Sequence, residues 1–277
     1  MRYKMTGSKF VLFVVLAVLS MQANAQSIST QINANSAEIQ LSLPGGLAAD
    51  FSIAFENVVG LSEENLGLAV ELLDLNDINL LNRLPSGIFN SIPAAFPMMI
   101  TVEPAYDSGL SFEGLVTIDI HTHNLEYTEN TPLRLFKAPL GGDFRDITDT
   151  TSSGSYRARS TTGTFSQFII VADTRSANQV STEKLSLLQN DLAGWQSEID
   201  PAVYLLLNSK SIDIANEFNQ ANYVAAEMKI TEFSQLVSQY AGAGIPNVWR
   251  ASRDIDNVAG ELLAHAKTLK FSVRLID

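Results

Sequence analysis

Between residues 28 and 173, apolar and polar side chains alternate in short runs broken by Gly, Pro, Asn and Asp, the pattern of strands that bury one face. Strands are expected at 37–43, 50–56, 66–73, 98–103, 115–123, 133–136, 156–160 and 165–172. In Val116-Thr117-Ile118-Asp119-Ile120-His121-Thr122-His123 the even positions are mainly apolar and the odd ones polar, so one face meets a core and the other meets water. Seven or eight such strands make a β-sandwich. Two short helical interruptions are also expected. Ser62 can cap a turn through Glu63, Glu64 and Asn65, and residues 77–84 carry Ile78, Leu81 and Leu84 at helical spacing before Pro85 stops them.

From Ser181 the apolar period lengthens to three or four. Leu185, Leu188, Leu192, Trp195 and Ile199 line one stripe of a helix. Asp200-Pro201 supplies a cap and a first-turn proline for a second, with Tyr204, Leu207, Ile214 and Phe218 inward. A third starts near Tyr223 and ends at Gly242 and Gly244. Pro246 then opens an expected fourth helix carrying Trp249, Ala259, Leu262 and Leu269, with the Trp249 indole against the first helix near Trp195. The expected fold class is therefore α+β in two domains. An antiparallel β-sandwich at 26–175 is followed by a bundle of about four antiparallel helices at 181–277; the polar join at 174–180 is too short to let them move far apart, and proteolysis there is expected to leave two folded fragments.

The length of 277 residues and an apolar content of 46% suit two cored domains. Residues 1–25 are laid out as a secretory signal: basic Arg2, Lys4 and Lys9, an apolar run from Phe10 to Leu19, then Ala23-Asn24-Ala25. A secreted or periplasmic location is expected, with no membrane span left after cleavage, because an apolar run of roughly ten residues is half of what a bilayer needs. There is no Cys, which excludes a disulfide framework and a thiolate metal site. The formal charge is −12, and loss of the three early basic residues makes it more negative. Such a field repels nucleic-acid phosphates, and no basic run in the sequence marks a local exception, so no nucleic-acid partner is expected. No repeat of solenoid period occurs.

Three stretches carry a resemblance. Leu133-Arg134-Leu135-Phe136-Lys137, Phe144-Arg145-Asp146-Ile147 and Thr164-Phe165-Ser166-Gln167-Phe168-Ile169-Ile170-Val171 resemble the closing strands of ZU-type β-sandwiches, as in ankyrins and netrin receptors. That resemblance covers about residues 95–173 and implies a scaffold domain without chemistry. Residues 183–270, through the Phe233 to Val237 pattern and Asn257-Val258-Ala259-Gly260-Glu261-Leu262-Leu263, look like FIMAH-like helical modules appended to secreted bacterial hydrolases and adhesins. Taken whole, with Leu43-Pro44-Gly45-Gly46, Thr131 to Gly142 and Ile245-Pro246-Asn247-Val248-Trp249-Arg250, the chain is similar to an uncharacterised secreted family of Gram-negative bacteria, which implies no activity and no catalytic residue.

Among candidate chemical groups, Asp119, His121 and His123 point to one strand face, as ligands in the opening metal motif of amidohydrolase barrels do. The plainer reading is a solvated strand face, since one more His follows, His265, and a barrel needs eight further strands. Arg157 and Arg159 share a strand face and, with Arg145, can grip a carboxylate or phosphate on a glycan; cross-strand pairing with Asp143, Asp146 or Asp149 is the structural alternative. Asp74 to Asn79 reads as a capped turn rather than a calcium loop, lacking the turn Gly and closing Glu. No nucleophile elbow, phosphate loop or zinc-protease helix occurs. No catalytic set and no cofactor are thus expected, and the expected function is binding of a protein or glycan partner. The rival is a glycosidase-like hydrolase whose carboxylates meet only in the fold.

Overall fold

A computed structural model describes residues 26–276. The expected signal at 1–25 lies outside the described residues. In chain order the elements run β1 (Ser27–Ile32), β2 (Ser36–Leu43), β3 (Leu47–Val59), α1 (Glu63–Leu66), β4 (Leu68–Leu72), α2 (Ile78–Leu81), β5 (Asn90–Ser91) and β6 (Met98–Val102). There follow β7 (Ser111–Glu126), β8 (Leu133–Ala138), β9 (Arg145–Asp146), β10 (Thr150–Ser152), β11 (Ser155–Thr162) and β12 (Gln167–Asp173). The rest is α3 (Ala177–Gly194), α4 (Pro201–Asn219), α5 (Tyr223–Tyr240), β13 (Val248–Arg250) and α6 (Val258–Val273).

The strands form two antiparallel sheets. One is ordered β1-β2-β3-β7-β11-β10, with β13 also paired to β7; the other is β4-β6-β12-β8-β9, with β5 on β12. Alternation decides which side of the first sheet is inward: Ile39, Leu41, Phe51, Ile53, Ile118 and Ile120 meet Val102, Leu135, Phe168 and Ile170 of the second sheet in one core. The second sheet is covered on both faces. Behind it, Met99, Phe136, Ile169 and Val171 pack under Leu80, Leu84 and Phe144, so β12 reads as a continuous apolar run instead of an alternating one. Both short helices stand where their caps place them, with Ser62 accepting from the Asn65 amide and Asp77 from that of Asn79.

The four long elements α3 to α6 share a separate apolar cluster built from Leu188, Leu207, Ile230, Phe233 and Leu262. Their starts follow the sequence signals: Ser176 and Gln179 form a reciprocal capping box, and Asp200 caps α4 ahead of Pro201. At the expected join at 174–180, α3 starts at Ala177 and the Arg175 side chain is buried, paired with Asp173 at 2.7 Å and with Glu183.

The expected fourth helix from Pro246 is corrected. Residues 248–250 form β13, which pairs Trp249 with Phe112 across β7. The reason is an open edge: β11 pairs only with the later part of β7, from Val116 on, leaving Ser111–Glu113 free for another strand. The Trp249 indole stacks on Phe112 at 5.2 Å and meets Phe165 edge-on at 5.3 Å, inside the sheet core and not against Trp195. The helix begins only at Val258, capped by Asn257, whose side chain accepts from the Gly260 amide at 2.8 Å and donates to the Gly114 carbonyl at 2.6 Å.

Candidate functional site

Two groups of charged side chains stand out, one on an open sheet face and one in a buried seam. On the outer face of the first sheet, register lines up Asp50, His121 and Arg157 across β3, β7 and β11, and beside them Ser52, Asp119 and Arg159. Asp119 is taken by both arginines: Arg159 lies 3.1 Å from one carboxylate oxygen and Arg157 3.6 Å from the other. For Arg157 and Arg159 the partner is Asp119 and not Asp143, Asp146 or Asp149; it lies directly across the strand pair from Arg159 and diagonal to Arg157. The histidines turn instead to Asp50. Its Oδ2 stands 3.3 Å from His121 Nδ1 and 3.0 Å from His123 Nε2. The hydrogen bond from His123 holds the Asp50 carboxyl below the ordinary carboxylate range, against the opposing effect of burial, and His121 adds to it. The metal-like set is thus Asp50, His121 and His123, and Asp119, expected as a ligand, belongs to the arginines.

A shallow groove of about 440 Å³ on this face is lined by Glu38, Gln40, Asp50, Ser52, Asp119, His121, Arg157 and Arg159. Arg159 also lines an adjoining groove of about 380 Å³ with Lys267, Lys270 and Arg274 of the C-terminal segment, plus Asp149, Thr150 and Thr161. Here α6 and its C-cap residue bring cations to the sheet from a hundred residues away, beside the Asp149 carboxylate. Arg274 is paired with Glu227 at 2.6 Å, while Lys270 donates to the hydroxyl of Thr231.

The seam between sheet and helices holds a second constellation. Glu261 of α6 is buried, and its Oε1 accepts from Lys137 Nζ at 3.1 Å and from the Gly163 amide at 2.8 Å, with the hydroxyls of Thr162 and Thr164 at 3.0 Å. Its Oε2 accepts from Arg145 at 2.5 Å. Arg145 therefore faces the helices, pairing also with Asp191 at 3.4 Å, and does not join Arg157 and Arg159. Burial would raise the Glu261 carboxyl, but Lys137 first, then Arg145 and His265, hold it well below the usual range. Lys137 is pushed down to about 8 by burial, against the upward pull of Glu261. Its ammonium has three protons and three acceptors, the hydroxyls of Thr162 and Thr164 at 2.5 Å and Glu261, so it is spent as a clamp. A second buried ion pair, Lys184–Asp146 at 2.8 Å, joins α3 to β9, with the Lys184 ammonium also donating to the Thr268 hydroxyl at 2.6 Å.

A cleft of about 640 Å³ opens beside it, lined by Arg83, Leu84, Lys137, Phe144, Arg145 and Glu183. Arg83 stacks 4.5 Å over the Phe144 ring and donates to Gln167 at 2.6 Å.

Sequence reasoning missed Asp50, Lys137, Lys184, Glu261 and His265. Asp50 enters through strand register alone. Glu261 and His265 did carry a signal: they sit one turn apart on the same stripe as Leu262 and Leu269, where a charge among buried positions demands a partner.

Fold and site together define an α+β protein of two antiparallel sheets and, among the described residues, six helices, with a polar sheet face and a buried ionic seam. A family model described as "Family of unknown function (DUF6689)" matches residues 13–277, and the chain belongs to that family. No curated protein and no solved structure matches the chain. No described helix is long and apolar enough to cross a membrane.

Proposed function

We propose that this chain is a non-catalytic binding protein, secreted or periplasmic, whose contact surface is the cationic run from Arg157 and Arg159 across to Lys267, Lys270 and Arg274. The observation that carries the reading is that Arg159 lines both grooves, so five cations border two grooves that meet at one residue, interspersed with the carboxylates of Glu38, Asp50, Asp119 and Asp149, on a protein of net charge −12. The arginine side chains are 46% and 55% exposed and oriented from behind by Asp119, which leaves donor edges for a planar carboxylate. Such a surface suits an acidic glycan or an acidic protein segment. In this reading the helical part at 181–277 acts as a bundle bracing a β-sandwich at 26–175, in keeping with the resemblance of both parts to accessory modules of secreted proteins. The signal-like layout of residues 1–25 supports export.

The test is titration of the mature chain with uronic-acid oligosaccharides and their neutral counterparts. Binding of the acidic series, falling as salt rises and weakened about tenfold or more by R157A/R159A with an unchanged melting temperature, is the expected result. Release of shortened sugars during the titration would instead establish the hydrolase.

A further inference from the structure

We infer that Asp50, His121 and His123 form a binding site for a divalent transition metal of the zinc class on the outer face of the seven-stranded sheet.

The donor set is the first ground. Two imidazole nitrogens and one carboxylate oxygen suit zinc and its neighbours, and do not suit calcium or magnesium, which take oxygen ligands. Geometry is the second. Ligand atoms 2.0–2.1 Å from a tetrahedral zinc stand roughly 3.3 Å from one another. Asp50 Oδ2 is already 3.3 Å from His121 Nδ1 and 3.0 Å from His123 Nε2, and the three ligand atoms all lie within 4.8 Å of one another. Two of the three ligand–ligand edges therefore have the required length, and the third closes by rotation of the exposed His123 ring.

Placement is the third ground. His121 has strand partners on both sides, Asp50 of β3 and Arg157 of β11, and His123 follows two residues on, just past the last β3 partner at Thr122. The backbone positions of Asp50 and His121 are thus set before any ion arrives, and His123 supplies the adaptable third ligand. The competing cation, Arg157, is opposite His121 on β11 but turns to Asp119, where its charge is offset. The side chains of Asp50, His121 and His123 are 49%, 27% and 47% exposed. An ion thus has an open approach, and water can complete its shell as the fourth ligand.

The test uses the mature chain, made without a polyhistidine tag and stripped with chelator, titrated with zinc alone against a chromophoric competitor at neutral pH. One equivalent is expected to bind. Because the three groups are partly exposed and on the solvent-facing side of the sheet, D50N and H121Q/H123Q should keep the parent circular dichroism. D50N should weaken zinc binding about tenfold or more and H121Q/H123Q should abolish it, while E38Q, which removes a nearby acid from the same groove, should leave it unchanged. Cobalt bound to the parent should show the intense visible absorption of a tetrahedral site, absent in H121Q/H123Q. No stoichiometric binding by the parent, or binding that survives H121Q/H123Q, would overturn the site. Loss in D119N with retention in D50N would overturn the assignment of the carboxylate ligand.

Discussion

A single side chain shows how far residue environment departs from residue type: Glu261 is a carboxylate in a stripe of Val, Ala and Leu, and it stays ionised because Lys137, Arg145 and the Gly163 amide converge on it. Taking away one member of such a set leaves the others buried and unmatched, so Glu261→Ala should destabilise the protein by about 3–5 kcal/mol in urea unfolding, whereas an apolar replacement of both Lys137 and Glu261 should cost much less. The pH dependence follows with a definite sign. His265 is pushed below the ordinary imidazole value of about 6.5, first by burial and then by Arg145. The unfolded chain therefore takes up a proton that the folded chain refuses, and stability should fall as pH drops through that value. Glu261, held low, adds stability that is whole above its ordinary value of about 4.3 and is lost as pH falls below it. Lys137 acts at the other end: with its folded value near 8 against about 10.4 unfolded, its contribution to stability rises between those two pH values. Urea midpoints measured from pH 4 to 7 should decline toward acid in the parent, and the slope below pH 6.5 should flatten in His265→Gln. An unchanged slope in that variant would remove His265 as the cause.

At the scale of elements, the telling piece is β13, three residues that leave the helices and complete the edge of a sheet. Trp249→Ala removes a ring stacked on Phe112 and edge-on to Phe165, and should cost about 3–5 kcal/mol. The loss belongs to the β core, so hydrogen exchange should quicken first at Ser111–Glu113 of β7; protection lost first in α4 and α5 would contradict that. The turn after β11 is just as tightly placed. A Cβ on Gly163 would lie 2.5 Å from the Glu261 amide nitrogen, a clash between two backbones with no flexible side chain to yield. Gly163→Ala should therefore push α6 off the sheet and cost about 1–3 kcal/mol or more, read as a lower melting temperature with a weakened Glu261 cluster.

The whole molecule is held across the boundary at 175–181 by three kinds of tie: the strand pairing of β13, the Glu261 cluster, and the Lys184–Asp146 pair. Burial of α6 against β11 explains why that strand alternates at its start and is continuously buried at Ser160 to Thr162. With these ties in place the sheets and helices should unfold in one transition, and protease treatment at 174–180 should not release two folded halves. Two resolved calorimetric transitions would show that the ties are weak and the parts independent.

Much of this organisation was legible along the chain, because its causes are local. Side-chain alternation set most strands and their faces, Ser62, Asp77, Asp200 and Pro201 marked helix starts through backbone groups within a turn of themselves, and the odd positions of 119–123 were correctly turned to one side. Composition alone also determined that packing, without disulfides, must hold the fold. What only the tertiary structure decided was which distant groups meet. Register placed Asp50 beside the histidines and left Asp119 to the arginines, an exposed stretch of β7 drew Trp249 into a strand, and the docking of α6 brought Glu261 to Lys137 and three cations to Arg159. These outcomes depend on strand pairing and on the cost of burying an unpaired charge, energies that arise between residues far apart in sequence and leave no fixed spacing within it.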